Sequence, residues 1–180
     1  MKDKALAYLE GDDLKDYLHD IKITQEYAST NRYLIAKAIA DYLKLNINCI
    51  EHFETVHNYI DVEAKVLRKG AVSAKSGEKL IIPINMKDGS LLCLGKGNPE
   101  WNYSAPHGSG RVHSRSSAKA NLSLEEFQES MKGVYSTTIG PETLDEAPMA
   151  YKSIDEIFYN TLECVDLIEV LRPTYNFRRA

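Results

Sequence analysis

The sequence is poor in the features that would put it in a membrane, a secretion route or a disulfide scaffold. No apolar run approaches the roughly 20 residues that span a bilayer, and no membrane partner is expected. The opening Met1-Lys2-Asp3-Lys4 leads into charged sequence and lacks the apolar stretch of a secretion signal, so the chain reads as cytoplasmic. Its three cysteines, Cys49, Cys93 and Cys164, are odd in number and far apart. That spacing suggests neither a disulfide framework nor a zinc knuckle. The chain also lacks an overall basic excess, with a net charge of −4.

What is present fits a folded protein. Hydrophobic residues make up 43% and charged residues 27% of 180 positions, a globular composition that can build one sizeable core. A single domain over residues 1–180 is expected, with a helical lead-in over 1–44 and a core over 46–180. The charge is unevenly placed. Between Lys65 and Lys119 ten Lys/Arg face three acids, a local +7, while the rest of the chain carries −11. A basic middle between acidic flanks suits a phosphate-rich partner, although lysines that keep strand edges soluble give the same pattern.

Periodicity predicts an α+β fold. Apolar residues at Leu14, Tyr17, Leu18 and Ile21, then Ala28, Ile35, Ala38, Ile39 and Tyr42, predict one long amphipathic helix or two in line, capped by Asp12 or Asp13. From about residue 46 to 106 β-branched and aromatic residues predict a mixed sheet, joined by short strands near 134–138 and 165–171. Helices are expected after 108, 123 and 153, the last two behind Ser123-Leu124-Glu125-Glu126 and Ser153-Ile154-Asp155-Glu156 capping boxes.

One stretch carries chemistry. In Ser104-Ala105-Pro106-His107-Gly108-Ser109-Gly110-Arg111, an imidazole is followed by Gly108, Ser109 and Gly110. The backbone there can approach closely and turn N–H groups toward an anion. A helix after Gly110 would put Arg111 and Arg115 on one face beside its positive end. A neutral imidazole attacking a phosphoryl group forms a phosphoramidate. A glycine turn opening an ordinary helix, with a surface histidine and two solvated arginines, uses the same residues. His57, flanked by Val56 and Asn58 in a predicted strand, is a second candidate. On spacing alone it offers one metal ligand at most.

The wording of these stretches resembles the RtcB-type RNA-splicing ligases. Ser104 to Arg111 is similar to the family's Ser-x-x-His-Gly-Ala/Ser-Gly-Arg motif, His57-Asn58-Tyr59 to its His-Asn motif, and Arg68-Lys69-Gly70-Ala71 to its Arg-Lys-Gly-Ala/Ser. Tyr27-Ala28 with Asn31-Arg32, Glu146-Ala147-Pro148 with Tyr151-Lys152, and the closing Leu171-Arg172-Pro173 match in the same order. The resemblance implies that His107 is guanylylated from GTP, that His57 binds manganese, and that the partner is RNA with 3′-phosphate and 5′-hydroxyl ends. It further implies that Ser90, Gly108, Ser109, Gly110 and Tyr151 contact the nucleotide. Arg178 stands where the family has a base-contacting lysine.

Two departures are visible. The family's glycine-bearing turn is replaced by Pro83-Ile84-Asn85-Met86-Lys87, wording similar to a subgroup with Pro-x-Asn-Met-x-Asp-Gly-Ser. The match also covers only the family's C-terminal half, without the Asp-x-x-Cys context and further histidines that complete its metal site. The resemblance therefore implies either a GTP- and manganese-dependent RNA ligase that needs a separate N-terminal half or self-association, or a non-catalytic guanine-nucleotide- or RNA-binding remnant. Missing partner strands predict exposed apolar surface.

Overall fold

The computed structural model describes residues 8–176. They fall into two compact units, one holding residues 8–53 and Tyr59–Leu67, the other Glu54–Asn58 and residues 68–176.

The first unit is built on α1 (Gly11–Tyr42), a single unbroken helix. Its N-cap is Glu10, with no side-chain cap, and Asp12 pairs instead with Lys15 at 2.8 Å. Among its residues only Ala40 is fully buried, and Tyr27, Leu34, Ile35, Ile39 and Tyr42 are all more than half or about half exposed. The Gln25 side chain clamps the backbone of Ile60, accepting its N–H at 2.7 Å and donating to its carbonyl at 3.2 Å. No helix among the described residues is long and apolar enough to cross a membrane.

A hairpin of β1 (Asn58–Asp61) and β2 (Val66–Lys69) follows. His57 sits in a bend immediately before β1, not within a strand as its neighbours suggested. The second unit then adds β3 (Ala71–Ser73), β4 (Lys79–Asn85), β5 (Gly89–Gly95) and β6 (Ser104–Pro106). Next come α2 (Arg115–Asn121), α3 (Leu124–Ser130), β7 (Tyr135–Ser136), α4 (Ile154–Thr161), β8 (Val165–Leu171) and β9 (Tyr175–Asn176). The expected mixed sheet resolves into small sheets: β3 pairs antiparallel with β6, β5 lies antiparallel between β4 and β8, and β7 pairs parallel with β9.

Strand alternation explains the core. Leu80, Ile82 and Ile84 of β4 and Leu91 and Cys93 of β5 point inward at every second position and face one another across the ladder. They pack with Val72, Ala105, Ile157, Cys164 and Val165 in one cluster. Phe127, Met131, Leu144 and Ala147 form another. Pro83, which cannot donate to a ladder, lies on the outer strand β4 beside a register shift.

The turn between β4 and β5 is built on Asn85. The Asn85 side-chain oxygen accepts the N–H groups of Lys87 at 2.9 Å and Asp88 at 2.8 Å, while its amide donates to Asp88 at 2.7 Å. An asparagine side chain thus shapes the turn that glycine conformations would otherwise set. At α3 and α4 only half of each capping box forms. Ser123 and Ser153 accept the N–H groups of Glu126 and Glu156, each at 3.2 Å, while Glu156 turns to Lys152 at 2.6 Å.

Candidate active site around His107

His107 follows β6 directly, and β6 is held in register against β3, with Ala71 opposite Pro106. Upstream, the loop into β6 is tied down by Arg68, whose side chain is almost wholly buried. Its Nε donates to Ser104 Oγ at 2.9 Å and its Nη2 reaches the carbonyls of Asn102 and Tyr103. Those two residues both have left-handed backbones, with φ of 50° and 52°. The buried guanidinium fixes a conformation that ordinary side chains avoid.

The His107 ring is exposed. Its Nδ1 lies 2.6 Å from the carbonyl oxygen of Gly70. A carbonyl can only accept, so Nδ1 donates, and in the neutral form of the ring the bare lone pair is at Nε2. Gly70 adopts φ +69°, and a Cβ there would stand 3.4 Å from the His107 ring. Its N–H is donated to the His57 carbonyl at 2.8 Å and to the Asn58 side-chain oxygen at 3.0 Å. The peptide around Gly70 therefore connects His57-Asn58 to His107. The two imidazoles stack, with centroids 5.1 Å apart and planes 10° from parallel. Asn58 and Gly70 have no role assigned by the motifs alone; the signal for them in the sequence is that they share those motifs with His57 and Arg68.

The glycine turn is engaged differently from expectation. Ser109 is buried, its N–H donating to the Pro83 carbonyl at 3.0 Å and its Oγ to the Ile84 carbonyl at 2.7 Å. A Cβ on Gly108 would stand 3.2 Å from the same Pro83 oxygen. The turn is docked on the end of β4, and the Ser109 N–H does not face an anion. Ser90 stands opposite Pro83 in the β4–β5 ladder, on the strand beside this contact.

Arg111 and Arg115 do not share a helical face. Helix α2 begins at Arg115 behind the cap Ser114, which accepts the Ser117 N–H at 3.1 Å, while Arg111 forms an isolated bridge with Tyr151. The Arg111 guanidinium donates to the Asp145 carbonyl at 2.6 Å, Glu146 Oε1 at 3.0 Å and Tyr151 Oη at 2.8 Å, and lies 4.7 Å from the Tyr151 ring centre. Tyr151 Oη in turn donates to Glu146 Oε2. This closed triad of cation, carboxylate and phenol is largely shielded from water, which strengthens each charge-assisted bond. Arg115 is 75% exposed and stands 3.9 Å from Asp145, whose buried carboxylate also has Lys119 at 3.5 Å.

Cofactor fit follows from these donors. Among the described residues no group of three or more His, Cys, Asp or Glu side chains gathers where a metal could sit. His57 offers one imidazole, and a stable transition-metal site needs more. The described residues by themselves do not fit a resident manganese ion. Near the end of the described chain, Asn176 donates to the Met86 carbonyl at 2.6 Å, and Tyr175 stacks on Tyr135 at 5.5 Å. Arg178 lies outside the described residues.

A family model described as tRNA-splicing ligase RtcB matches residues 1–179. RNA-splicing ligase RtcB of Escherichia coli (strain K12) is 34% identical over 186 aligned residues, which cover 94% of this chain and 45% of that protein. The tRNA-splicing ligase RtcB of Nanoarchaeum equitans is 30% identical, covering 89% of this chain and 42% of its own length. That of Aeropyrum pernix is 26% identical, with 86% and 40% covered. The chain spans less than half the length of these curated relatives.

Proposed function

The chain belongs to the tRNA-splicing ligase RtcB family, and from that membership we propose that it is the guanylate-accepting portion of an RNA ligase joining 3′-phosphate to 5′-hydroxyl ends. In this reading Nε2 of His107 attacks the α-phosphorus of GTP. The bond to the β-phosphate oxygen breaks, and pyrophosphate leaves with the electron pair. An RNA 3′-phosphate oxygen then displaces the imidazole and takes the guanylate. The 5′-hydroxyl of the second end attacks the activated 3′-phosphorus, losing its proton to water, and GMP departs.

The observation that supports this reading is the exposed His107 with Nδ1 held against the Gly70 carbonyl, which turns Nε2 of the neutral ring into the nucleophilic nitrogen. Arg115 is the cation assigned to phosphate, its side chain being mostly solvated. Arg111, committed to Glu146 and Tyr151, holds Tyr151 in position for the base. Ser90, Gly108 and Gly110 border the nucleotide, and Arg178 donates to guanine. Bound manganese would polarise the phosphates. Because His57 is its one candidate ligand among the described residues, no step is assigned to it here, and the further donors come from a separate N-terminal half.

The test is intact-mass measurement after incubation with GTP and Mn²⁺, with and without the N-terminal half of the Escherichia coli relative. A GMP adduct that needs the added half and vanishes in His107→Ala is the expected result. An adduct that survives in His107→Ala overturns the assignment. GTP binding without any adduct, even with the added half, makes the chain a non-catalytic remnant.

A further inference from the structure

We propose that Asn58 is a positioning residue that sets the tautomer of His107 through the Gly70 peptide. This rests on the reading of His107 as the guanylate acceptor. Free neutral histidine carries its proton mainly on Nε2, which would leave the wrong nitrogen bare for an attack at the exposed edge of the ring. Here the preference is reversed by one acceptor, the Gly70 carbonyl, 2.6 Å from Nδ1.

That carbonyl is useful only while its peptide is held. Gly70 has a left-handed backbone with φ +69°, a conformation a glycine can leave at little cost. Its own N–H is fixed by two acceptors, the His57 carbonyl at 2.8 Å and the Asn58 side-chain oxygen at 3.0 Å. The backbone acceptor comes with any sequence. The side-chain acceptor is specific to Asn58, which stands exposed at the first position of β1 and so can be exchanged without opening a cavity.

The experiment is two-bond ¹H–¹⁵N spectroscopy of imidazole-labelled chain near pH 8, above the ordinary histidine range. The His107 signals are assigned by their loss in His107→Ala. The wild-type ring is expected in the Nδ1–H form. In Asn58→Ala the Nε2–H form becomes the major species, and in Asn58→Asp, which keeps an acceptor oxygen, the Nδ1–H form is retained. The signals of the other four histidines report whether the fold is preserved. A wild-type ring protonated on Nε2, an unchanged pattern in Asn58→Ala, or an Asn58→Asp chain that behaves like Asn58→Ala overturns the proposal. Because no nucleotide is present, a tautomer switch in a chain that takes up no guanylate supports this assignment and counts against the ligase reading alone.

Discussion

In the helical unit a 32-residue helix fully buries one side chain, Ala40, whereas in the strand-built unit the seven-residue β4 fully buries three, Leu80, Ile82 and Ile84. The difference lies in what each element packs against. β4 has β5 beside it and Val72, Ala105 and Val165 within the same cluster, so alternation alone delivers its apolar side chains to a core. Along α1 the apolar residues spread around the helix, and Tyr27, Leu34, Ile39 and Tyr42 remain exposed. The residues with chemical roles, from His57 through Gly70 and His107 to Tyr151, all belong to the unit that has its own core. A rigid core beneath a site is what keeps its hydrogen bonds in place.

The contrast can be broken most directly by truncation. Ile82→Ala is expected to cost about 2–5 kcal/mol of stability in a denaturant titration, because the site is fully enclosed. Leu34→Ala on α1 is expected to cost less than about 0.5 kcal/mol. Equal losses would mean that the helix is as tightly packed as the sheet. Next in size is Arg111→Ala, expected to cost roughly 2 kcal/mol by taking the cation away from Glu146 and Tyr151 in a shielded pocket. Arg111→Lys should recover little of this, since lysine cannot serve three acceptors in one plane.

Gly70→Ala tests the site itself. A left-handed alanine costs about 1 kcal/mol, and the strain falls on the peptide whose carbonyl holds His107 Nδ1. Guanylylation in the presence of the N-terminal half is expected to slow roughly tenfold or more, a larger loss than the change in stability suggests. An unaltered rate would remove Gly70 from the account.

The smallest expected effect concerns the thiols. Cys49 is exposed, whereas Cys93 and Cys164 are buried and burial pushes both upward, Cys93 to about 11. Native chain should take one alkylating group near neutral pH and unfolded chain three. Folding holds the Cys93 thiol neutral, so its contribution to stability is complete below the unfolded value of about 9.0 and is lost as pH rises toward 11. Flat stability across that window would contradict the burial of Cys93.

Much of this was legible in the residues. The strands β4 and β5 and the helical lead-in follow from period, though period left open one helix or two and an amphipathic face that α1 does not bury, and His107 stands out because its glycines and motif are local. What was not legible depends on distant partners. Arg111 and Arg115 read as one helical face, but Arg111 is drawn to Glu146 and Tyr151, about 35 to 40 positions away. Ser109 read as an anion donor, but its N–H is taken by Pro83. Gly70 stood in the sequence only as one letter of a motif, and the fold is what shows its carbonyl on Nδ1.

The claim on which the account stands is that guanylate becomes bonded to His107. Incubating the chain, its N-terminal complement and Mn²⁺ with GTP labelled at either the α- or the γ-phosphate measures this directly. The expected result is α-label on the chain, released by acid as a phosphoramidate is, with no γ-label and none of either in His107→Ala. Retention of γ-label, or α-label that persists in His107→Ala, would contradict it.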